Sequence, residues 1–263
     1  MAAGGYAVLV LGLYLGQRAL LYRPDDTVPD PRAHDVADMV VVRIPVGDGI
    51  ECLAWWLPPR EPEWPVVVYF HGNAGHIGER AFKARAIIDA GFGVLLAGYR
   101  YNAGSGGAPS EEALLADGQT AMQYLQDQGY VVEQLVLYGE SLGSGIAVAL
   151  AAGNCVGGLI LETPYSSIAE VAQAHYWYTP AKWLIRDRYD SMARIGRVRA
   201  PIMIFHGDAD TTIPIGFAKR LLSFAPDPKE AHFLPGGGHS GLYDLGAGRL
   251  VLDFLQRLAD GKT

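Results

Sequence analysis

Short apolar runs that alternate with longer helical stretches are the feature of this sequence that most restricts its fold. Each run is rich in Val, Ile, Leu or Phe, and the runs occupy residues 66–70, 93–97, 135–138, 158–161, 202–205 and 232–234. Such runs are typical of strands that are buried on both faces of a sheet. Helices are expected between them, at residues 77–90, 110–128, 144–152, 215–223 and 243–258. The alternation predicts a mostly parallel sheet with helices on both faces.

A pair of β-type runs precedes this series. Residues 39–45 and 50–57 are separated by Val46-Gly47-Asp48-Gly49, which is typical of a hairpin. The pair completes a predicted eight-stranded sheet that begins with an antiparallel hairpin, and residues 39–263 are predicted to form one α/β domain. The series is interrupted once, at residues 163–199. We call this segment the lid, because a connection of this length commonly covers a binding site.

The composition excludes several classes of function. The 263 residues contain 21 Lys and Arg against 28 Asp and Glu, a net charge of −7, without a basic tract of five or more residues. Nucleic acid is therefore not expected as a partner. The two cysteines, Cys52 and Cys155, exclude a disulfide scaffold and lack a metal-binding spacing. We expect neither a metal nor a cofactor.

The N-terminal segment, residues 1–22, is predicted to be a membrane anchor. No charged side chain occurs before Arg18, and a helix of 22 residues is about 33 Å long, enough to cross a hydrocarbon core. Arg18 and Arg23 follow the apolar part, so the positive-inside tendency predicts a cytoplasmic domain. A Pro- and Asp-rich linker at 23–38 joins the two. A cleaved signal peptide and an amphipathic helix docked on the domain are the open alternatives.

A Gly-x-Ser-x-Gly motif is the first candidate for chemistry. Gly139-Glu140-Ser141-Leu142-Gly143 lies between the apolar run at 135–138 and the helical stretch from 144. A serine in this context occupies a sharp strand-to-helix turn, which needs small residues two positions before and after it. The turn raises the hydroxyl above the sheet edge, beside the positive end of the helix. We therefore predict that Ser141 is a nucleophile.

A serine nucleophile needs a base, and the base needs an orienting acid. In this architecture the order along the chain is Ser, acid, His, with each residue just past a strand. His239 follows the run at 232–234 across a Pro-Gly-Gly-Gly loop and is the predicted base. The acid is expected after residues 202–205, where position alone does not separate Asp208 from Asp210.

Backbone N–H donors are needed for the oxyanion that forms when a carbonyl is attacked. One donor is expected from Leu142, the residue after the nucleophile. The other is expected in the loop His71-Gly72-Asn73-Ala74-Gly75, whose glycines permit a tight turn. Asn73 is the predicted residue there.

Aromatic side chains in the lid are the candidates for substrate binding. They are Tyr165, Tyr176, Trp177 and Trp183. Core packing and contact with substrate are equally compatible with these residues. An apolar lid over a serine site suits an acyl chain.

Together these motifs resemble the α/β-hydrolase superfamily, and more narrowly its membrane-anchored members related to fungal cell-polarity hydrolases and animal palmitoyl-protein depalmitoylases. The resemblance covers about residues 20–258 and includes the segments 71–75, 138–145, 161–165 and 206–214. It implies an α/β-hydrolase fold without a cofactor. It also implies Asp210 as the acid, because the family's acid is the third residue after a His-Gly pair, and His239 as the base. An N-terminal anchor is usual in these relatives.

The predicted function is that of a serine hydrolase of the carboxylesterase or thioesterase type. Its substrate would be a small-molecule or lipid-like ester or thioester of an apolar acyl group, cleaved through an acyl-enzyme. Two alternatives stay open. The first is amide cleavage of the aminopeptidase kind, and the second is a non-catalytic membrane-tethered scaffold.

Overall fold

Eight strands form one sheet in a computed structural model of the chain, which describes residues 2–262. In chain order the strands are β1 (Val40–Pro45), β2 (Glu51–Leu57), β3 (Val66–Phe70), β4 (Gly93–Ala97), β5 (Leu135–Glu140), β6 (Gly158–Glu162), β7 (Ile202–Gly207) and β8 (Lys229–Leu234). Their order across the sheet is β1-β2-β4-β3-β5-β6-β7-β8. The predicted ends of the anchor and of the domain, Met1 and Thr263, lie outside the described residues.

The pairing confirms a mostly parallel sheet with an antiparallel N-terminal hairpin. β1 pairs with β2, and β2 with β4, in antiparallel fashion, whereas the other neighbouring strands are parallel. β5 and β8 are longer than their apolar runs. β5 continues to Glu140 because this residue still pairs with Glu162 of β6, and β8 begins at Lys229, which pairs with Ile202.

Both faces of the sheet are buried. Along β3, Val66, Val68 and Phe70 belong to one hydrophobic cluster, while Val67 and Tyr69 belong to the cluster on the other side. Successive side chains of a strand point to opposite faces. A continuous apolar run is therefore what a strand between two layers of helices requires.

The helices follow the predicted stretches, with two of the stretches divided. The helices of the main domain are α2 (Ala81–Asp89), α3 (Glu111–Asp127), α4 (Leu142–Gly153), α8 (Gly216–Phe224) and α9 (Ala247–Ala259). A 3-10 turn, Ile77–Arg80, precedes α2, and His76 caps it by accepting a hydrogen bond from the Gly78 N–H. A second 3-10 turn, Leu242–Leu245, precedes α9, and Gly246 between them has a φ of 92° that interrupts the helix.

The N-terminal helix and the lid lie outside the sheet and its two helical layers. α1 spans Ala2–Leu21, and the lid contains α5 (Ile168–His175), α6 (Ala181–Leu184) and α7 (Met192–Ile195). Among the helices of residues 2–262, α1 alone is long and apolar enough to cross a membrane, judged by length and composition. The segment after α1 is tied to the domain, since Tyr22 and Val36 are buried.

Candidate active site

Ser141 occupies the turn between β5 and α4, in a strained backbone conformation. Its φ of 50° and ψ of −115° are unfavourable for an L-residue. The turn is held by the Ser141 N–H, which donates to the Glu162 carbonyl at 2.9 Å. The Ser141 carbonyl accepts from both the N–H and the hydroxyl of Ser144, at 2.9 and 2.6 Å. The neighbouring strand and the first turn of α4 therefore fix the position of the serine.

Close backbone approach explains the two glycines of the motif. A Cβ on Gly143 would lie 2.0 Å from the Phe70 carbonyl oxygen, and one on Gly139 would lie 2.5 Å from the Gly143 oxygen. Real Cβ atoms do not approach backbone atoms so closely. Any side chain at either position would force the turn apart, so the spacing of the motif is a steric requirement of this turn.

The side chains of Ser141, His239 and Asp210 form a line of hydrogen bonds. Nε2 of His239 lies 3.0 Å from Oγ of Ser141, and Nδ1 lies 2.7 Å from Oδ2 of Asp210. Asp210 can only accept, so Nδ1 carries the proton and Nε2 is free to accept the serine proton. The structure thus brings together the predicted nucleophile, base and acid from three separate loops.

The two candidate acids differ in what they contact. Oδ1 of Asp210 accepts from the backbone N–H groups of Thr212 and Ile213, at 2.8 and 2.9 Å, which leaves Oδ2 for His239. Oδ1 of Asp208 instead accepts from the Gly236 N–H at 2.7 Å. Asp208 therefore holds the glycine loop before His239, while Asp210 contacts the imidazole itself.

A second histidine contacts Asp210, and sequence reasoning did not predict it. Nε2 of His206 lies 2.7 Å from the Ile213 carbonyl and 3.2 Å from Oδ2 of Asp210. A carbonyl can only accept, so Nε2 carries the proton and points at both oxygens. Burial alone would raise the pKa of Asp210, but the hydrogen bonds from His206 and His239 outweigh it and hold that pKa below its usual range. The spacing of four residues between His206 and Asp210 is the sequence feature from which this contact could have been predicted.

The predicted oxyanion residues lie on either side of the serine. Leu142 is the first residue of α4, where N–H groups lack partners within the helix. Asn73 is anchored by its Nδ2, which donates to the Leu21 carbonyl at 2.8 Å, and by its own carbonyl, which accepts from the Arg23 N–H at 3.3 Å. The end of α1 therefore holds the loop that carries Asn73.

His71 supports the same loop from below. It is buried, its Nδ1 donates to the Gly72 carbonyl at 2.8 Å, and its ring centroid lies 4.4 Å from that of Tyr99. Burial lowers the pKa of His71 to about 3. The imidazole is therefore neutral near pH 7.

Four charged side chains form a buried group next to the nucleophile, which we call the charge network: Arg80, Lys83, Glu140 and Glu162. Nζ of Lys83 lies 2.7 Å from Oε2 of Glu162 and 3.0 Å from Oε2 of Glu140. Nη2 of Arg80 lies 2.9 Å from Oε1 of Glu140. Two cations thus balance two carboxylates. Glu140 and Glu162 are the residues that pair at the ends of β5 and β6.

The two carboxylates of the charge network differ in their electrostatics. Burial would raise the pKa of Glu140, but Lys83 and Arg80 outweigh it and hold the pKa below its usual range. Burial raises the pKa of Glu162 despite Lys83, and the charge of Glu140 adds to the rise. Sequence reasoning missed this group, although a glutamate inside a buried-strand motif requires a cationic partner.

A cavity of about 620 Å³ opens above the triad. Its volume is within the range of small-molecule sites. Ser141, Leu142, Asn73 and His239 line its base. Its walls are mostly apolar and come from α1 and the lid, which together we call the roof; they include Val10, Leu13, Leu21, Val171, Leu184 and Ile185.

The four aromatic residues predicted to bind substrate do not share one location. Tyr176 lines the cavity. Tyr165 is fully buried, and its hydroxyl donates to the Leu142 carbonyl at 3.0 Å, so it supports the nucleophile turn from the protein side. Trp177 and Trp183 are 78% and 82% exposed and are not among the described residues that line the cavity. Tyr176 is therefore placed where a substrate in the cavity would contact it, whereas the two tryptophans face outward.

One group of side chains that could ligate a metal lies away from this arrangement. Among the described residues, Asp25, His76 and Glu79 form the one group of His, Cys, Asp or Glu side chains close enough together to hold an ion. None of the three lines the cavity in the part of the chain that the structure describes.

Comparison with known proteins gives three kinds of match. The model of the dienelactone hydrolase family matches residues 53–240. The uncharacterized protein Rv2307c of Mycobacterium tuberculosis is 36% identical over 255 residues, which cover 95% of this chain and 89% of that protein. The lysophosphatidylserine lipase ABHD12 of Danio rerio is 30% identical over 195 residues, or 66% of this chain and 51% of that protein.

The fold also has a close structural match. The α/β-hydrolase GrgF from Penicillium superimposes with a TM-score of 0.68 at 16% identity, covering 84% of this chain and 99% of that one. At this identity the likeness concerns the fold alone.

Proposed function

The chain belongs to the dienelactone hydrolase family and has the α/β-hydrolase fold, and from this premise we propose that it is a serine hydrolase cleaving carboxylic esters or thioesters of apolar acyl groups. The observation that carries the proposal is the unbroken line of hydrogen bonds from Ser141 through His239 to Asp210. A hydroxyl, an imidazole and a carboxylate in this order form the arrangement that activates serine in hydrolases.

In the proposed reaction Oγ of Ser141 attacks the acyl carbonyl carbon while Nε2 of His239 takes the hydroxyl proton. Asp210 keeps the imidazole in the tautomer that can accept this proton and stabilises the imidazolium that forms. The backbone N–H groups of Asn73 and Leu142 bind the oxyanion. His239 then protonates the leaving alkoxide or thiolate. A water, deprotonated by the same imidazole, hydrolyses the acyl-enzyme and regenerates the serine.

The cavity lining supports an apolar acyl group over one that carries an amino group. Among the described residues that line the cavity, none is Asp or Glu. Aminopeptidase-like amide cleavage needs a carboxylate that holds the amino group of the substrate, so the lining favours esters and thioesters. The lipase relative of Danio rerio agrees with a lipid-like acyl substrate.

The proposal extends to the membrane. α1 is long and apolar enough to associate with a bilayer, and the exposed Trp177 and Trp183 extend the apolar surface of the roof. Indole rings are favoured at membrane interfaces. We place the domain on the cytoplasmic side, because Arg18 and Arg23 follow the apolar segment. Protease protection of the full chain in sealed membrane vesicles tests this orientation.

A fluorophosphonate probe and short p-nitrophenyl esters test the proposed function. The detergent-solubilised protein should be labelled on one serine and should turn over the esters. Ser141→Ala should lose both properties, while Ser223→Ala, which removes a surface hydroxyl on α8, should keep both. Hydrolysis by Ser141→Ala at the parental rate would contradict the assignment, and a protein that stays unlabelled would instead support a non-catalytic scaffold.

A further inference from the structure

One stripe of α1 faces the cavity above Ser141. The residues of this stripe are half-buried and line the cavity: Val10, Leu13, Tyr14, Gln17 and Leu21. Their spacing of three and four residues keeps them on one face of a helix. Leu11 and Leu15, between them in sequence, are 55% and 68% exposed. The helix therefore has an inner face that touches the cavity and an outer face that does not.

The direction of the cavity follows from the end of α1 that contacts the site. The Leu21 carbonyl accepts a hydrogen bond from Asn73, and Leu21, Asn73 and Ser141 all line the cavity. Val10 lies eleven residues earlier, or about 16 Å farther along the helix axis. The stripe thus begins beside the reacting atoms and runs away from them, and each position along it corresponds to a different distance from the serine.

Polar contacts with the lid fix α1 in this position. Arg18 and Asp187 form a two-point ion pair at 2.8 and 3.1 Å. The Gln17 side chain accepts from the Arg186 N–H at 2.7 Å and donates to the Leu184 carbonyl at 3.3 Å. Nearer the N-terminus, the Tyr6 hydroxyl donates to the Tyr178 carbonyl at 3.0 Å. These contacts set the register of α1 against the lid.

Most polar side chains along the cavity walls are paired within the protein, whereas the exposed Arg23 lines the end of the cavity next to Asn73. The Tyr14 hydroxyl lies 3.2 Å from Nε of Arg186. The Gln17 amide both accepts a hydrogen bond through its oxygen and donates one through its nitrogen, each with the lid backbone. Nε2 of His175 lies 2.9 Å from the Thr212 carbonyl, and the Thr179 hydroxyl donates to the Tyr176 carbonyl. A ligand away from the triad therefore meets mostly apolar surface, which favours a hydrocarbon chain over a polar group.

We propose that α1 is the wall that measures the acyl chain of the substrate. The acyl carbonyl lies between Ser141 and Asn73, and the hydrocarbon chain extends along the inner stripe of α1 toward Val10, covered by the lid. The substrates are accordingly esters or thioesters of long, unbranched fatty acyl groups. This inference rests on the proposed function, and it assigns the helix at the N-terminus a part in substrate selection in addition to membrane association.

Tryptophan substitutions on the two faces of α1 test the proposal. Leu13→Trp fills the inner stripe, and Leu15→Trp places the same bulk on the outer face as a matched control. The measurement is kcat/KM in detergent for p-nitrophenyl butyrate, octanoate and palmitate. Leu13→Trp should lower the palmitate-to-butyrate ratio by about a hundredfold, the effect of excluding roughly three to four methylenes from an apolar wall. Val10→Trp should act on palmitate and spare octanoate, and Leu15→Trp should leave the ratio unchanged.

A cysteine substitution gives a second readout that does not depend on accommodating a large side chain. Val10→Cys and Leu11→Cys are compared in a Cys155→Ser background, since Cys52 is buried. Reaction of Ser141 with a hexadecyl fluorophosphonate should protect the thiol of Val10→Cys from maleimide, whereas a methyl fluorophosphonate should not. The thiol of Leu11→Cys should react equally in both cases.

The outcomes separate the two proposals. Equal chain-length profiles for Leu13→Trp, Leu15→Trp and the parent, or equal maleimide reactivity at positions 10 and 11, would overturn the acyl-measuring role of α1 in an enzyme that remains active. A parent protein inert toward every ester and toward the probe would overturn the proposed serine chemistry and, with it, the acyl-measuring role.

Discussion

The charge network beside the nucleophile and the roof above it are built in opposite ways. Lys83 and Glu162 are 7% and 2% exposed and contact each other across the end of the sheet. Trp177 and Trp183 of the roof are about four-fifths exposed. The network consists of paired charges that cannot separate without leaving a buried ion. The roof is a half-exposed apolar layer joined to α1 by a small number of polar contacts.

This difference divides two tasks between two regions. The network, the strained turn and the hydrogen bonds of Asp210 hold the side chains whose geometry nucleophilic chemistry requires. The roof lines the cavity, and in the proposed function a displaced side chain there changes which substrate fits but leaves the reacting atoms in place. Substitutions near the network should therefore affect every substrate alike, and substitutions in the roof should affect substrates differently.

The largest expected effect is on the acid of the triad. Asp210→Asn should lower kcat by about 10⁴-fold on all esters, because an amide at this position favours the wrong imidazole tautomer. Asp208→Asn, which keeps an oxygen that can accept from the Gly236 N–H, should lower kcat less than about tenfold. Steady-state kinetics on p-nitrophenyl butyrate measure both. A reversed order would assign the catalytic role to Asp208.

Removal of one cation should destabilise the protein more in the charge network than in a surface ion pair. Lys83→Met leaves Glu140 and Glu162 without their shared cation and should reduce the free energy of unfolding by roughly 3–5 kcal/mol. Arg85→Met, on the same helix as Lys83, breaks pairs with the exposed Asp38 and Asp89 and should cost about 1 kcal/mol or less. Urea unfolding measures the two. Equal losses would mean that the network is no more important for stability than a surface pair.

A pH effect follows from the burial of His71. Its folded pKa of about 3 lies below the unfolded value of 6.5, so its contribution to stability is complete above pH 6.5 and is lost as the pH falls toward 3. Between pH 6.5 and 5 the loss is about 2 kcal/mol. His71→Gln should remove that part of the pH dependence in urea unfolding. Identical pH dependence of the parent and His71→Gln would contradict the prediction.

The smallest effect is expected at the outer surface of the roof. The double variant Trp177→Ser, Trp183→Ser should weaken binding to phosphatidylcholine–phosphatidylglycerol vesicles by about tenfold through loss of buried apolar area. Its kcat on soluble p-nitrophenyl butyrate should be unchanged. Val131→Ser is the control, because Val131 is 56% exposed and lies at the amino end of β5, whereas Ser141 follows the carboxyl end of that strand. Unchanged vesicle binding by the double variant would show that these tryptophans do not contact lipid.

Much of the fold could be predicted from local patterns. A strand buried on both faces is a continuous apolar run, and a helix has apolar residues at regular intervals, so both are visible in neighbouring residues. The eight strands were predicted with ends that shifted by a few residues, since pairing with a neighbouring strand decides where a strand stops. The serine motif was equally local. The glycines at 139 and 143 are required by contacts within the same turn and with β3.

Contacts between distant segments were harder to predict. Residue position left Asp208 and Asp210 equivalent, and a family resemblance chose between them. In the structure the difference is that Asp210 uses one oxygen for two backbone N–H groups and the other for His239. Lys83 and Arg80 carried no motif, because their partners Glu140 and Glu162 lie more than fifty residues away in sequence.

By itself, the sequence determined the α/β architecture, the serine turn and the histidine loop, because each depends on short-range sterics and on the period of apolar residues. Only the tertiary structure decided that α1 lies on the lid and lines the cavity, and that the two lid tryptophans face outward. These outcomes depend on which surfaces meet across more than a hundred residues of chain. No local pattern of hydrophobicity distinguishes a helix face that contacts lipid from one that contacts a substrate.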